Sequence, residues 1–557
     1  MAKFVVSPTA RRGHRSISSA LLAANTSGRA AVVEVEPGHY REQLTIRGQV
    51  EVVARGAVVV DWPHGRVVDA IGAVRLAGLV LVGRDGDAVD CGGGTLTIET
   101  TRIQAGGGVA LHARPGSSVT LRDSAVDHGR VVFAGAIGLV ERCRFTAAAD
   151  NAIAVIEGAD ARIEGSRFDG ASIHGVRVSG ARARITDCDL TGTGQAAVIA
   201  DSQAEIVVEN CRITAVHGPG ISITEQSRGT VEGTRVSDAE HGIVVAGGAD
   251  PLVRRCVFTD CRGTGINVHQ NGRGRFEDVE VVDSGDVAVY STTGGAPDVR
   301  GCRISGGNAG IVVQDGRGTF TGVDVEDLNN AGLRLLGSAT ATFSRITVSR
   351  CPSGLESNGG SKAKLTDVAF HDIGLAAVTV LGTSRITLDT SSATRAKVGF
   401  GVGEDAYLVV RDCRADEVEL GGAVAFDSGR LTLLSLTVTG PCDFGVHGRD
   451  SAYLSIEDCD FTGTTVAGVS LDGSCGGTLA RCSVTGTAGV AVLDNGKLHL
   501  TDLRSTLPVV EHTPEPAPPV PRVTINNDNR VVFNAAVVGS QIAWNNESVV
   551  QNRTGPP

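Results

Sequence analysis

The chain has 557 residues, of which 41% are hydrophobic and only 4% aromatic, with 74 glycines and a formal net charge of −11. An acidic chain of pI about 5.7 lacks the basic surface that sequence-independent nucleic-acid binding needs. No apolar run reaches the roughly 18 residues of a membrane-spanning helix, so neither nucleic acid nor membrane is expected as a partner.

Residues 1–30 read as a short strand followed by a capping helix. Ser16 is a good N-cap, Ile17, Leu21 and Ala24 fall on one helical face, and Thr26-Ser27-Gly28 stops the helix. Such a helix is needed wherever a stack of parallel strands would otherwise leave an open edge. The start, Met1-Ala-Lys-Phe-Val-Val-Ser-Pro8 and then Arg11-Arg12, has no adequate apolar export core, and a cytoplasmic location is predicted.

From residue 31 to 510 the pattern is a ladder of apolar triplets recurring about every 22 to 23 residues. Typical rungs are Ile185-Thr-Asp-Cys188-Asp-Leu190, Val208-Glu-Asn-Cys211-Arg-Ile213 and Ile456-Glu-Asp-Cys459-Asp-Phe461, with Ser166 or Thr234 at the cysteine place in other repeats. A second ladder of the same period carries glycine before an aliphatic residue, as in Gly175-Val176, Gly242-Ile243 and Gly468-Val469. Within a repeat, period-two arcs of three to five residues are broken by Gly, Asp and Ser. Arcs this short exclude helix and predict an all-β parallel β-helix of about 20 coils, each of roughly 21 to 24 residues.

Most of the 13 cysteines sit at one inward position, where a reduced thiol serves as a small apolar filler. No CxxC pair and no zinc-type Cys/His spacing occurs, and neither a metal nor a cofactor is expected.

The segment Val33-Glu-Val-Glu-Pro-Gly38-His-Tyr40-Arg-Glu42-Gln-Leu-Thr-Ile46, followed by Val50-Glu-Val-Val53, resembles the opening coil of the pectin-lyase-like superfamily. It is most similar to right-handed β-helix repeat proteins of high-GC bacteria. The resemblance implies a right-handed helix over about residues 1–510. It implies no single activity, because the superfamily includes lyases, hydrolases, esterases, epimerases and proteins without chemistry.

The esterase segments Asp-Phe-Ile-Phe-Gly and Leu-Gly-Arg-Pro-Trp are missing, as are the four polygalacturonase motifs. His174-Gly175 and His241-Gly242 imitate one fragment of the latter but fall three coils apart. The strongest catalytic candidates are Glu209 and Glu232, one period apart, with Arg212 and Arg235 close by. Two carboxylates so placed would suit a retaining glycosidase or hold a cation, whereas a solvated Glu/Arg network needs no chemistry at all.

Residues 511–522 hold a proline-rich linker, and 523–557 form an Asn- and Val-rich tail with the composition of edge-pairing strands. Ser540 to Asn546 resembles the core of the RIP homotypic interaction motif and its bacterial signalling-amyloid relatives. Gln541, Ile542 and Asn546 match its pattern, while Ser540 and Ala543 depart from it. The resemblance implies partner binding or self-association through Gln541, Ile542, Trp544 and Asn546. The expected function is a non-catalytic cytoplasmic scaffold or recognition rod, which docks a protein partner or itself through the tail and takes a saccharide on its lateral face. The alternative is a carbohydrate-active lyase or hydrolase of the pectin-lyase-like type.

Overall fold

The structure is a computed structural model describing residues 1–9, 13–106, 108–486, 488–494 and 497–511, and the backbone of 535–537 and 540–542. It comprises two compact units, Met1–Val323 and Asp324 onward. Both are parallel β-solenoids, with about 20 turns in all and one short helix near the N-terminus.

In the first unit, strand Ala2–Val6 pairs in parallel with Ala31–Val35, which pairs with Leu44–Trp62. The helix, Ile17–Ser27, begins at Ser16, whose hydroxyl accepts from the Ser19 amide, and ends at the left-handed Gly28. Its buried face of Ile17, Ala20, Leu21 and Ala24 packs on these first strands. Glu42 explains the Pro-Gly-x-Tyr-x-Glu turn. Its carboxylate accepts the Ile17 and Ser18 amides at 2.8 Å each, placing an anion at the positive end of the helix. Tyr40, 4% exposed, donates its hydroxyl to the Glu36 carbonyl at 2.8 Å and pins the same turn from inside.

Successive coils then stack in register. One inward column runs Ile163, Ile185, Val208, Val231, Val253 and Phe276. A second runs Phe145, Phe168, Leu190, Ile213, Val236 and Phe258. A third runs Ile153, Val176, Val198, Ile221, Ile243 and Ile266. All of these are 0 or 1% exposed. Three arcs make a coil because three corners interrupt it, each built on residues of left-handed backbone. Asp187 (φ 54°) and Asn210 (φ 52°) form the first corner, Ala215 (φ 53°) and Asp238 (φ 50°) the second, and Gln203 (φ 62°) and Gln226 (φ 60°) the third. Asp and Asn tolerate this conformation better than other side chains, which accounts for the polar residue just before the cysteine rung.

The rung itself does more than fill space. Cys188 and Cys211 donate to the Thr186 and Glu209 carbonyls at 3.2 and 3.3 Å. Ser166 and Thr234 make the same bond and also accept a backbone amide of the preceding coil, from Cys143 and Cys211 respectively. A Ser or Thr at this position thus also satisfies the corner amide of the preceding coil, whereas Val279, Val368 and Leu436 hold the same position in other coils and only fill space. All 13 cysteines are buried, and none is in a disulfide. The glycine ladder has a steric origin. A Cβ on Gly242 would lie 2.5 Å from the Gly265 carbonyl oxygen and 2.7 Å from the Phe258 ring.

The second unit repeats the plan, with Phe343, Leu365, Leu388, Val410, Leu433, Ile456 and Leu479 as one inward column, which ends on the exposed Leu500. Its solenoid strands run to Val509–Glu511, paired with Val490–Asp494. In the tail, Ala535–Val537 pairs antiparallel with Ser540–Ile542. Gln541 and Ile542 thus lie in a strand, whereas Trp544, Asn546 and the linker from residue 512 fall outside the described residues. No helix among the described residues is long and apolar enough to cross a membrane.

Candidate functional site

The four residues singled out from sequence do fall on adjacent coils, but not as one cluster. Glu209 and Glu232 are in register, as are Arg212 and Arg235. The carboxylates are engaged elsewhere. Glu209 accepts from Arg184 at 2.8 Å, and Glu232 accepts from Arg254 at 2.7 Å and pairs with Arg255. Two carboxylates are thus neutralised by three guanidinium groups, and among the described residues Arg212 and Arg235 form no ion pair with them. A corner residue lies between each Glu and its Arg, Asn210 and Gly233 having φ 52° and 59°. The corner turns the arginine onto the next strand face.

Arg212 and Arg235 are exposed, and among the described residues no carboxylate is within ion-pair distance of either, Asp189 one coil earlier included. Like charges directly opposite on neighbouring strands repel. The same column shows how the fold neutralises such a pair. Arg144 and Arg167 are also in register, and Asp169 bridges them, at 2.9 Å from Arg144 and 3.0 Å from Arg167. Asp169 stands two residues after Arg167. Two residues after Arg212 and Arg235 stand Thr214 and Ser237 instead. They continue a hydroxyl column of Thr191, Thr214, Ser237 and Thr259, in which the Thr191 and Thr214 oxygens are 3.2 Å apart. The second arginine pair therefore has hydroxyls where the first has its carboxylate.

The same strands lead directly into a cleft of about 680 Å³ lined by Ala215, Val216, His217, Asp238, Glu240, Arg262 and Gly263. Ala215 and Asp238 are the left-handed corner residues that turn the chain into it. Arg262 braces the cleft across coils, donating to the Asp238 carboxylate at 2.6 Å and to the Val216 carbonyl at 2.7 Å. The His217 Nδ1 lies 3.3 Å from the Thr193 carbonyl and donates to it in the neutral Nδ1–H tautomer, which leaves Nε2 as an acceptor. Glu240 is exposed and has no side-chain hydrogen bond or ion pair among the described residues. Hydroxyls, a free carboxylate, an imidazole and a guanidinium pair on three consecutive coils can hydrogen-bond a polyol and hold its anionic groups.

His174 is buried and His241 half-buried. Burial lowers the pKa of each imidazole, and their Nδ1 atoms face the Ala196 carbonyl at 3.2 Å and the Thr264 hydroxyl at 2.8 Å. They lie three coils apart, as the spacing predicts.

One charged group escaped the sequence reading. Asp87, Asp90 and His112 bring potential metal-ligand atoms within 4.8 Å of one another. Asp90, 1% exposed, already accepts from Arg114 at 2.7 Å and Arg66 at 3.0 Å. These two guanidinium groups neutralise the cluster, which does not fit a cation site. The offset of one period between Arg66, Asp90 and Arg114 was the available signal.

A profile of the right-handed β-helix region matches residues 129–284, 287–362 and 353–502. No curated protein sequence matches the chain. Among solved structures it is similar to the catalytic domain of a GH87 α-1,3-glucanase in complex with tetrasaccharides, at 11% identity and a TM-score of 0.31 over 68% of this chain and 66% of that one. The chain thus spans slightly under two thirds of that domain. It is also similar to pectate lyase Pel9A (15% identity, TM-score 0.25, 52% and 77% covered) and to a PL6 family alginate lyase (9%, 0.26, 88% and 100%). Values this low reach no further than a shared solenoid path.

Proposed function

The chain belongs to the right-handed β-helix family, a fold that carries no single chemistry, and we propose that it is a recognition solenoid binding an extended carboxylate-bearing polysaccharide across Arg212 and Arg235. The observation that carries this reading is the contrast between two equivalent arginine pairs, one bridged by Asp169 and the other facing hydroxyls. A ligand carboxylate at the place of the missing Asp would be gripped by two guanidinium groups. The hydroxyl column and the cleft beyond would take sugar hydroxyls. Adjacent coils are about 4.8 Å apart, close to the length of one pyranose ring, so an extended chain advances about one residue per coil. The acidic charge and the absence of any ring among residues 212, 214, 235 and 237 disfavour nucleic acid, which needs a basic surface or stacking aromatics.

The test is calorimetric titration of an oligogalacturonate into wild type and Arg212→Gln/Arg235→Gln. At least tenfold weaker binding by the double variant is expected, and equal affinity overturns the reading. A second reading, turnover of the bound chain, is favoured by the free carboxylate of Glu240 in the cleft. New reducing or unsaturated ends formed by wild type but not by Glu240→Gln would establish it.

A further inference from the structure

The unit beginning at Asp324 carries a different ladder. The first outward residues of consecutive strands stack as Lys362, Arg385, Tyr407, Arg430, Tyr453 and Gly476. Arg385 and Arg430, from the coils before and after, each lie 5.2 Å from the Tyr407 ring centre, so both faces of that ring are covered by guanidinium groups. Neither arginine has an ion-pair partner among the described residues. Tyr453 is different. It is 51% exposed, Arg430 precedes it, and the coil after it presents Gly476.

Gly476 leaves a slot. A Cβ built there would meet nothing nearer than 3.6 Å, the closest atoms belonging to Lys497 of the following coil. Tyr453 and Lys497 are therefore two coil spacings apart, about 9 to 10 Å. A ring needs about 7 to 8 Å to make van der Waals contact on both faces, and it fits. Ser455 and Thr478, in register beside Tyr453 and Gly476, add a hydroxyl floor.

We infer that this slot binds one pyranose ring of an anionic saccharide, its C–H face on Tyr453 and its anionic group on Lys497. A single-stranded nucleic acid fits less well, because it stacks successive bases on successive rings and both faces of Tyr407 are already occupied. The site uses none of the residues around Arg212 and Arg235, so it stands or falls separately from the reading above.

The test uses the full chain and trigalacturonate, followed by calorimetry and by tyrosine fluorescence. Arg212→Gln/Arg235→Gln should retain saturable binding that quenches tyrosine emission. Adding Tyr453→Ser, or Gly476→Leu to fill the slot, should weaken that binding at least tenfold. Gly476 has ordinary backbone geometry, and an unchanged melting curve for its variant confirms folding. The inference is overturned if no binding remains in the Arg212→Gln/Arg235→Gln protein, or if Gly476→Leu binds as tightly as its parent. Equal affinity for neutral maltotriose, or tighter binding of a thymidine hexanucleotide, overturns the assigned ligand class.

Discussion

Ser237→Asp copies the neutralised arginine pair onto the open one. Ser237 stands two residues after Arg235 and beside Arg212 of the preceding coil, as Asp169 stands two residues after Arg167 and beside Arg144. The new carboxylate should bridge Arg212 and Arg235 as Asp169 bridges its pair. Exposed ion pairs contribute only about 0.2 to 1 kcal/mol each, and relief of the like-charge opposition adds a similar amount. The expected net gain is about 1 kcal/mol or less, offset in part by the neighbouring Asp238 carboxylate. The melting temperature should hold steady or rise slightly, while oligogalacturonate affinity falls at least tenfold because both guanidinium groups are occupied. Calorimetric binding and thermal unfolding of wild type, Ser237→Asp and the uncharged control Ser237→Asn separate the two effects. Undiminished binding by Ser237→Asp, or an equal loss in Ser237→Asn, would refute the ligand-carboxylate reasoning.

Phe168→Ala should cost about 3 to 5 kcal/mol, because the ring is 1% exposed and stacks on Phe145 at 4.8 Å and 6°; a urea midpoint implying less than 1 kcal/mol would count against tight ring packing. Acid should destabilise the first unit through His174 and His241. Burial lowers both below the ordinary 6.5, so the unfolded chain binds more protons and stability falls as pH drops below about 6.5. Urea midpoints at pH 7.5 and 5.5 should differ less in His174→Gln/His241→Gln than in wild type. If the tail docks a partner or itself by backbone pairing, Gln541→Pro/Ile542→Pro removes two donors, and sedimentation should show association lost while the far-ultraviolet spectrum of the solenoid is kept. A monomeric wild-type chain at all concentrations would eliminate self-association.

Much of the architecture is legible in the sequence because a solenoid writes its three-dimensional neighbours into a one-dimensional period. Residues one period apart must stack, so Ile185 over Ile163, Leu190 over Phe168 and the cysteine rung follow from spacing alone. Ser16 and Gly28 likewise announce the helix ends through local backbone chemistry. Tertiary structure decided what periodicity cannot encode, namely the direction a side chain takes after a corner. Glu209 and Arg212 are only three residues apart, yet the left-handed Asn210 between them sends the carboxylate toward Arg184 and leaves the guanidinium with no ion-pair partner among the described residues. The helix-capping role of Glu42, the corner amides satisfied by Ser166 and Thr234, and the slot beside Tyr453 are equally invisible to spacing. Each depends on which atoms of a neighbouring coil lie within a few ångströms, a distance set by corner dihedrals and not by the repeat length.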